Sequence, residues 1–198
     1  MTETTTGRPG RPRSERAEKA IIEATLDLLA AESGVAGVSI EAVAARAGVG
    51  KTTIYRRWPN KEALIVGALA AAKTPLSEPA GVSVRADLLT IARSMGTERA
   101  HRHARCFWNV VGSAEKHPEL YARYYHDVIS PRREVLRRVL EKGVERGELR
   151  PGLDLDVAIA LLVGSLAHKA PQDRFPEGFA EAVVDTLLDG MANTTRNT

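Results

Sequence analysis

Residues 38–58 read VSIEAVAARAGVGKTTIYRRW, and this stretch decides the fold. Ser39 stands where a helix N-cap belongs, with a hydroxyl able to take an unpaired amide of the first turn, and Glu41 lies near the positive end of the helix dipole. Val38 and Val43 occupy the two staple positions. Gly48 ends that helix. A second helix opens at Lys51 and runs to Trp58, because Pro59 lacks the N–H needed to continue it. Two helices too short to stand alone, joined through Gly48-Val49-Gly50, make a helix-turn-helix pattern. Ile40, Val43 and Ala44 are the inward positions of the first helix, and small Ala44, Ala45 and Ala47 let the second come close. Ile54 and Trp58, four residues apart, anchor the second helix. Lys51, Thr52, Thr53, Tyr55, Arg56 and Arg57 are left to face outward.

Those outward residues suit a DNA groove. Lys and Arg neutralise phosphate or reach guanine O6 and N7, and Thr offers a hydroxyl or a methyl. Tyr hydroxyls commonly reach phosphate. Lys51, Thr52 and Thr53 open the helix, the part that meets base edges in such motifs. Ser39, Arg46 and Lys61 flank the set and complete the expected DNA-binding surface. The competing reading is a solvated, charged helix. A second rival is a nucleotide-binding loop, since residues 45–52, ARAGVGKT, match a Walker A pattern with Ala45 in place of the first Gly. A phosphate loop follows a buried strand, whereas the residues before Gly48 carry the signals of a capped helix.

The surrounding 60 residues resemble the DNA-binding domain of the tetracycline-repressor (TetR) family. The likeness rests on Ala24, Leu28-Leu29-Ala30, Gly34, Val38-Ser39-Ile40, Val43-Ala44, Ala47-Gly48-Val49, Thr53-Ile54-Tyr55 and Asn60-Lys61-Glu62-Ala63-Leu64. The resemblance implies an all-helical homodimeric repressor. Its first three helices would bind an operator, and its C-terminal helices would hold a small-molecule pocket and the dimer interface. It also implies that Thr53, Tyr55, Arg57 and Lys61 touch DNA.

Charge distribution agrees with a polyanion partner at this end. The whole excess of +3 sits in residues 1–73, with 11 basic against 8 acidic groups, while residues 74–198 balance at 17 each. Residues 1–13 read as a flexible basic arm carrying Arg8, Arg11 and Arg13, and Gly10-Arg11-Pro12 resembles the centre of an AT-hook, which lays Arg in a narrow minor groove. Ser14 is expected to cap a helix with Ile21, Ile22, Leu26 and Leu29 on one face, stopping at Ser33-Gly34. With 43% hydrophobic and 27% charged residues the chain reads as globular rather than disordered. No apolar run is long enough to span a membrane, the N-terminus lacks a secretory h-region, and one Cys allows no internal disulfide. The cytoplasm, and the nucleoid when DNA is bound, is the expected compartment.

The expected architecture is all-α, with about nine helices. Residues 14–73 form the DNA-binding domain, and 82–192 the ligand-binding and dimerisation domain. Two prolines and a glycine in residues 74–81 mark the boundary. Further helices are expected over 84–96, 99–116, 118–146, 155–169 and 176–191, the third of these kinked or split by Pro131. Aromatics cluster in residues 107–125, so Phe107, Trp108, Val111, Tyr121 and Tyr125, with Leu162 and Ser165, are the candidate effector pocket; the alternative is plain core. Leu155, Ile159, Leu162 and Leu166, with Val183, Leu187 and Met191, are the candidate four-helix dimer interface. His103 and Cys106 could converge, but no ligand pair supports them, so neither a metal nor another cofactor is expected. No nucleophile elbow or catalytic cluster is present, and the chain is not expected to be an enzyme.

Overall fold

In the computed structural model, described over residues 11–31, 33–73, 75, 78–95, 103–167 and 177–191, the chain is built from helices and turns, with no β-strand among the described residues. Helix α1 (Arg11–Ala30) already includes Ser14, which was expected to cap it from outside. Pro12 fits its first turn, since a first-turn residue has no intrahelical acceptor for the N–H that proline lacks. Arg11 and Arg13 therefore belong to a helix rather than to an extended arm, and Arg8 lies outside the described residues. Ile21, Ala24, Leu26 and Leu29 bury the inner face of α1, and Thr25 is buried with its hydroxyl donating to the Ile21 carbonyl at 2.7 Å. A single turn, α2 (Gly34–Gly37), which has no clear sequence signal, leads into α3 (Ile40–Ala47), and both pack on α1. Helices α4 (Lys51–Tyr55) and α5 (Lys61–Ala72) follow, the second capped by Asn60 Oδ1, which accepts from Ala63 N–H at 2.8 Å.

Two compact units emerge: Met1–Ala71 with Arg105–Tyr121, and Ala72–Ala104 with Ala122–Thr198. The break near residue 72 lies beside the Pro-rich boundary, but residues 105–121, assigned by sequence to the C-terminal domain, fold with the N-terminal unit. Helix α7 (Ala104–Val111) explains why. Its buried Cys106 donates to the Leu26 carbonyl at 3.3 Å, and Asn109 donates to the carbonyls of Leu29 at 2.7 Å and Ala31 at 3.3 Å. Leu29 lies in the last turn of α1, where its carbonyl has no helical donor, and α7 supplies one. The expected helix over 99–116 is thus shorter: it ends at Val111 and continues as turns to Lys116.

The second unit contains α6 (Val84–Met95), α9 (Ser130–Glu145), α10 (Leu155–Ala167) and α11 (Phe179–Met191), which share one core that includes Leu88, Ile91, Leu136, Leu140, Ile159 and Val184. The segment entering α6 is tied down. Buried Asp87 accepts from Gly81 N–H, Glu148 accepts from Val84 N–H at 3.0 Å, and Arg146 donates to the Gly81 carbonyl at 2.8 Å. Ahead of α9, α8 (Pro118–Tyr124) runs into a π-helical turn over Tyr125–Ile129. Pro131 accounts for the break expected in this helix. Its ring would clash with the Asp127 carbonyl in a regular helix, and the wider turn avoids that.

Candidate nucleic-acid interface

The helix-turn-helix is assembled as its local signals require. Ser39 is extended (φ −134°) and its Oγ accepts from Ala42 N–H at 3.1 Å, so it caps α3. Gly48 adopts φ 65°, in the left-handed region, and its N–H returns to the carbonyls of Ala44 and Ala45. A Cβ there would meet nothing within 4 Å, so the backbone angle alone favours glycine. Gly50 precedes α4, and Thr53 N–H bonds to its carbonyl at 2.9 Å. Ile54 is fully buried and pins α4 down. Trp58 is half-buried beside α5, where Gly67 gives it room: a Cβ on Gly67 would stand 2.5 Å from the indole Nε1.

This anchoring turns Lys51, Thr52, Tyr55 and Arg56 to the outside, with Tyr55 50% exposed, and leaves Thr53 half-buried at their margin. Ser39 and Lys61 are half-buried at either end of the motif. The cations differ in their partners. Lys51 Nζ lies 2.6 Å from Glu41 Oε1, a bond that raises the ammonium's affinity for its proton and lowers that of the carboxylate. Arg46 donates through Nε and Nη2 to Asp27 Oδ2 at 3.1 and 2.9 Å. Arg57 is half-buried and turned inward, donating to Glu18 at 3.1 Å, to Ser14 Oγ at 2.5 Å and to the Ser14 carbonyl at 3.3 Å. Its guanidinium joins α4 to α1 instead of standing free for phosphate, and Ser14 serves this joint rather than a helix cap. Side chains of Arg11 and Arg13 lie outside the described residues.

The Walker-like stretch does not form a phosphate loop. Its first residues belong to α3, and the helix after it ends at Tyr55, so both the preceding strand and the long following helix are missing from this segment. Cys106 is sealed away, its thiol pushed up to about 11 by burial, and among the described residues no three His, Cys, Asp or Glu side chains are grouped to hold a metal.

The two other candidate sets are redistributed. Phe107, Trp108, Val111 and Tyr121 belong to the first compact unit, and Tyr125, Leu162 and Ser165 to the second. Phe107 and Trp108 meet edge to face at 4.9 Å, Leu162 is core, and Ser165 donates to the Leu161 carbonyl. Sequence reading passed over Lys73 and Arg132, and took Tyr124 only as one of the aromatics clustered in residues 107–125. Tyr124 is fully buried, and burial together with the Arg132 charge pushes the Lys73 ammonium down to about 8. Isolated polar residues at a linker and on a charged helix carried no pattern that could have singled them out. Of the expected dimer residues, Ile159, Leu162, Leu166 and Met191 are buried in the chain's own core, and Leu155, Val183 and Leu187 pack against it. The four core residues are thereby turned away from solvent, while Leu155, Val183 and Leu187 remain partly exposed. The outward apolar residues of α10 are instead Val157 and Leu161, at 52% and 53% exposure. At 100° per residue, seating Ile159, Leu162 and Leu166 inside turns these two outward.

Fold and interface together define a helix-turn-helix DNA-binding protein with a second, separate helical unit. Comparison with known proteins gives the family. Residues 21–68 match the model for "Bacterial regulatory proteins, tetR family", and residues 79–187 match "Tetracyclin repressor-like, C-terminal domain". The chain is 35% identical over 189 residues to the "Uncharacterized HTH-type transcriptional regulator YdeS" of Bacillus subtilis, covering 94% of this chain and 95% of the relative. It is 30% identical to the TetR family transcription regulator SCO0332, whose crystal structure superposes with a TM-score of 0.60, covering 89% and 99% of the two chains. The regulator FadR from Bacillus subtilis, solved in complex with stearoyl-CoA, shares the fold at 18% identity and a TM-score of 0.63, covering 87% and 98%. The chain belongs to the TetR family of helix-turn-helix transcriptional regulators.

Proposed function

We propose that this regulator is a homodimeric repressor that binds a specific operator through α4 and leaves it when a small molecule occupies the C-terminal unit. The carrying observation is the outward face of α4, where Lys51, Thr52, Tyr55 and Arg56 stand exposed over a fully buried Ile54. Such a face combines phosphate neutralisation with donors for base edges. Lys61 and Ser39, at either end, are assigned to the flanking backbone. Dimerisation is assigned to the exposed residues of α10 and α11: Val157 and Leu161 share the outer side of α10 with Ala160 and Gly164, and α11 exposes Ala182, Thr186 and Gly190, small residues that permit close helix approach. The FadR complex supports a small-molecule effector. In this chain Tyr124, Lys73 and Arg132 are the polar groups within the second unit best suited to meet one. Effector binding would alter the separation of the two α4 helices, and a coupling of about 1–3 kcal/mol suffices to switch occupancy.

Selection of duplexes from a genomic pool by the purified full chain tests this reading. Enrichment of a palindrome with half-sites about 10 base pairs apart is expected, with binding weakened by Arg56→Ala and Tyr55→Phe. Recovery of sequences no different from the input pool would overturn it.

A further inference from the structure

The cations around α4 are not equivalent. Lys51, which opens α4, is held by Glu41 from the first turn of α3, and Arg46 is held by Asp27 from α1. Arg56 and Lys61 have no carboxylate partner among the described residues. Side chains in the first two pairs are each more than half exposed, so these solvated pairs add little to folding. A surface shaped only for affinity would leave Lys51 to phosphate and keep carboxylates away from a polyanion. Here a carboxylate sits 2.6 Å from the first cation of the reading helix, and the Lys51 bond lowers its affinity for a proton further.

We propose that Glu41 is a specificity-determining residue of the DNA interface, one that withholds Lys51 from phosphate and leaves it able to read a guanine edge. This rests on the DNA-binding reading above. Phosphate is present at every step of a duplex. Taking Lys51 to a phosphate trades one anionic partner for another and strands Glu41 beside negative charge. Guanine O6 and N7 are neutral acceptors. An ammonium has three donors, so Lys51 can give two to guanine while the third stays on Glu41. The pair thus costs little at a matching base and more at an arbitrary one.

The experiment measures fluorescence anisotropy of the full chain on a random-sequence duplex and on the selected operator, across about 50–200 mM salt. In Glu41→Gln, random-duplex affinity should rise about three- to eightfold near 0.1 M salt, and the slope of log K against log salt should steepen by about 0.9 per subunit, as one more phosphate is neutralised. Operator affinity should rise less, so the ratio of specific to random binding falls. In a Lys51→Met background, Glu41→Gln should leave the slope where it was. An unchanged slope in Glu41→Gln alone would overturn the proposal, as would the same change in both backgrounds, which would mean that bulk charge acts and not the pair. Wild-type protein that binds no duplex even at low salt would instead overturn the DNA-binding reading, and this proposal with it.

Discussion

Replacing Arg57 by Ala separates a brace from a phosphate contact. The Arg57 side chain is 22% exposed, and its guanidinium ties the segment just after α4 to α1 through Glu18 and Ser14. Charge-assisted hydrogen bonds contribute about 1.5–3 kcal/mol when their loss strands a buried partner. Glu18 is 43% exposed and rehydrates, so the lower end applies and a loss of about 1–2 kcal/mol is expected. For a chain of this length that lowers the melting temperature by about 2–8 °C. Operator affinity should fall because α4 loses its support, while the salt dependence of binding keeps its slope, since no phosphate contact has gone. Adding Glu18→Gln should change the melting temperature of Arg57→Ala little, because the two residues share one interaction. Thermal unfolding by circular dichroism and binding titrations across salt concentrations measure both quantities. An unaltered melting temperature with a slope reduced by about 0.9 per subunit would refute the brace and return Arg57 to the phosphate.

Gly48→Ala should destabilise the protein by about 1–2 kcal/mol through its positive φ alone, and Gly48→Asn should lose less; equal losses in chemical denaturation would point to steric crowding instead. Lys73 carries a folded-state pKa of about 8 against 10.5 unfolded, so its ionised form opposes folding fully below pH 8 and progressively less as pH rises towards 10.5. Lys73→Met should therefore stabilise the effector-free protein by about 1–2 kcal/mol at pH 7, below the ~3 kcal/mol ceiling for full burial, with the gain shrinking above pH 8 in pH-dependent melts. Leu161→Glu places a charge on the outward face of α10 and should shift the protein to monomer in light scattering, whereas a dimer of wild-type stability would move the interface elsewhere.

Local chemistry made the DNA-reading half legible from sequence. The Ser39 cap, the left-handed Gly48 and the Asn60 cap each act within one turn, and the 3.6-residue period placed Ile54 inside and Tyr55 outside, although α4 ends at Tyr55, short of the Trp58 limit that Pro59 suggested. Pro131 announced its break for the same reason, because its clash is with a residue four positions away. What tertiary structure alone decided is pairing across distance. Arg57 looks as available as Arg56 in a linear reading, and only the approach of α1 takes it inward to Glu18. Residues 105–121 join the first unit because Cys106 and Asn109 meet carbonyls some 80 positions earlier. Helix α10 is apolar nearly all round, so its pattern could not tell the core side from the outer side, and the packing of α6, α9 and α11 made that choice by burying Ile159 and leaving Leu161 exposed on the chain's surface.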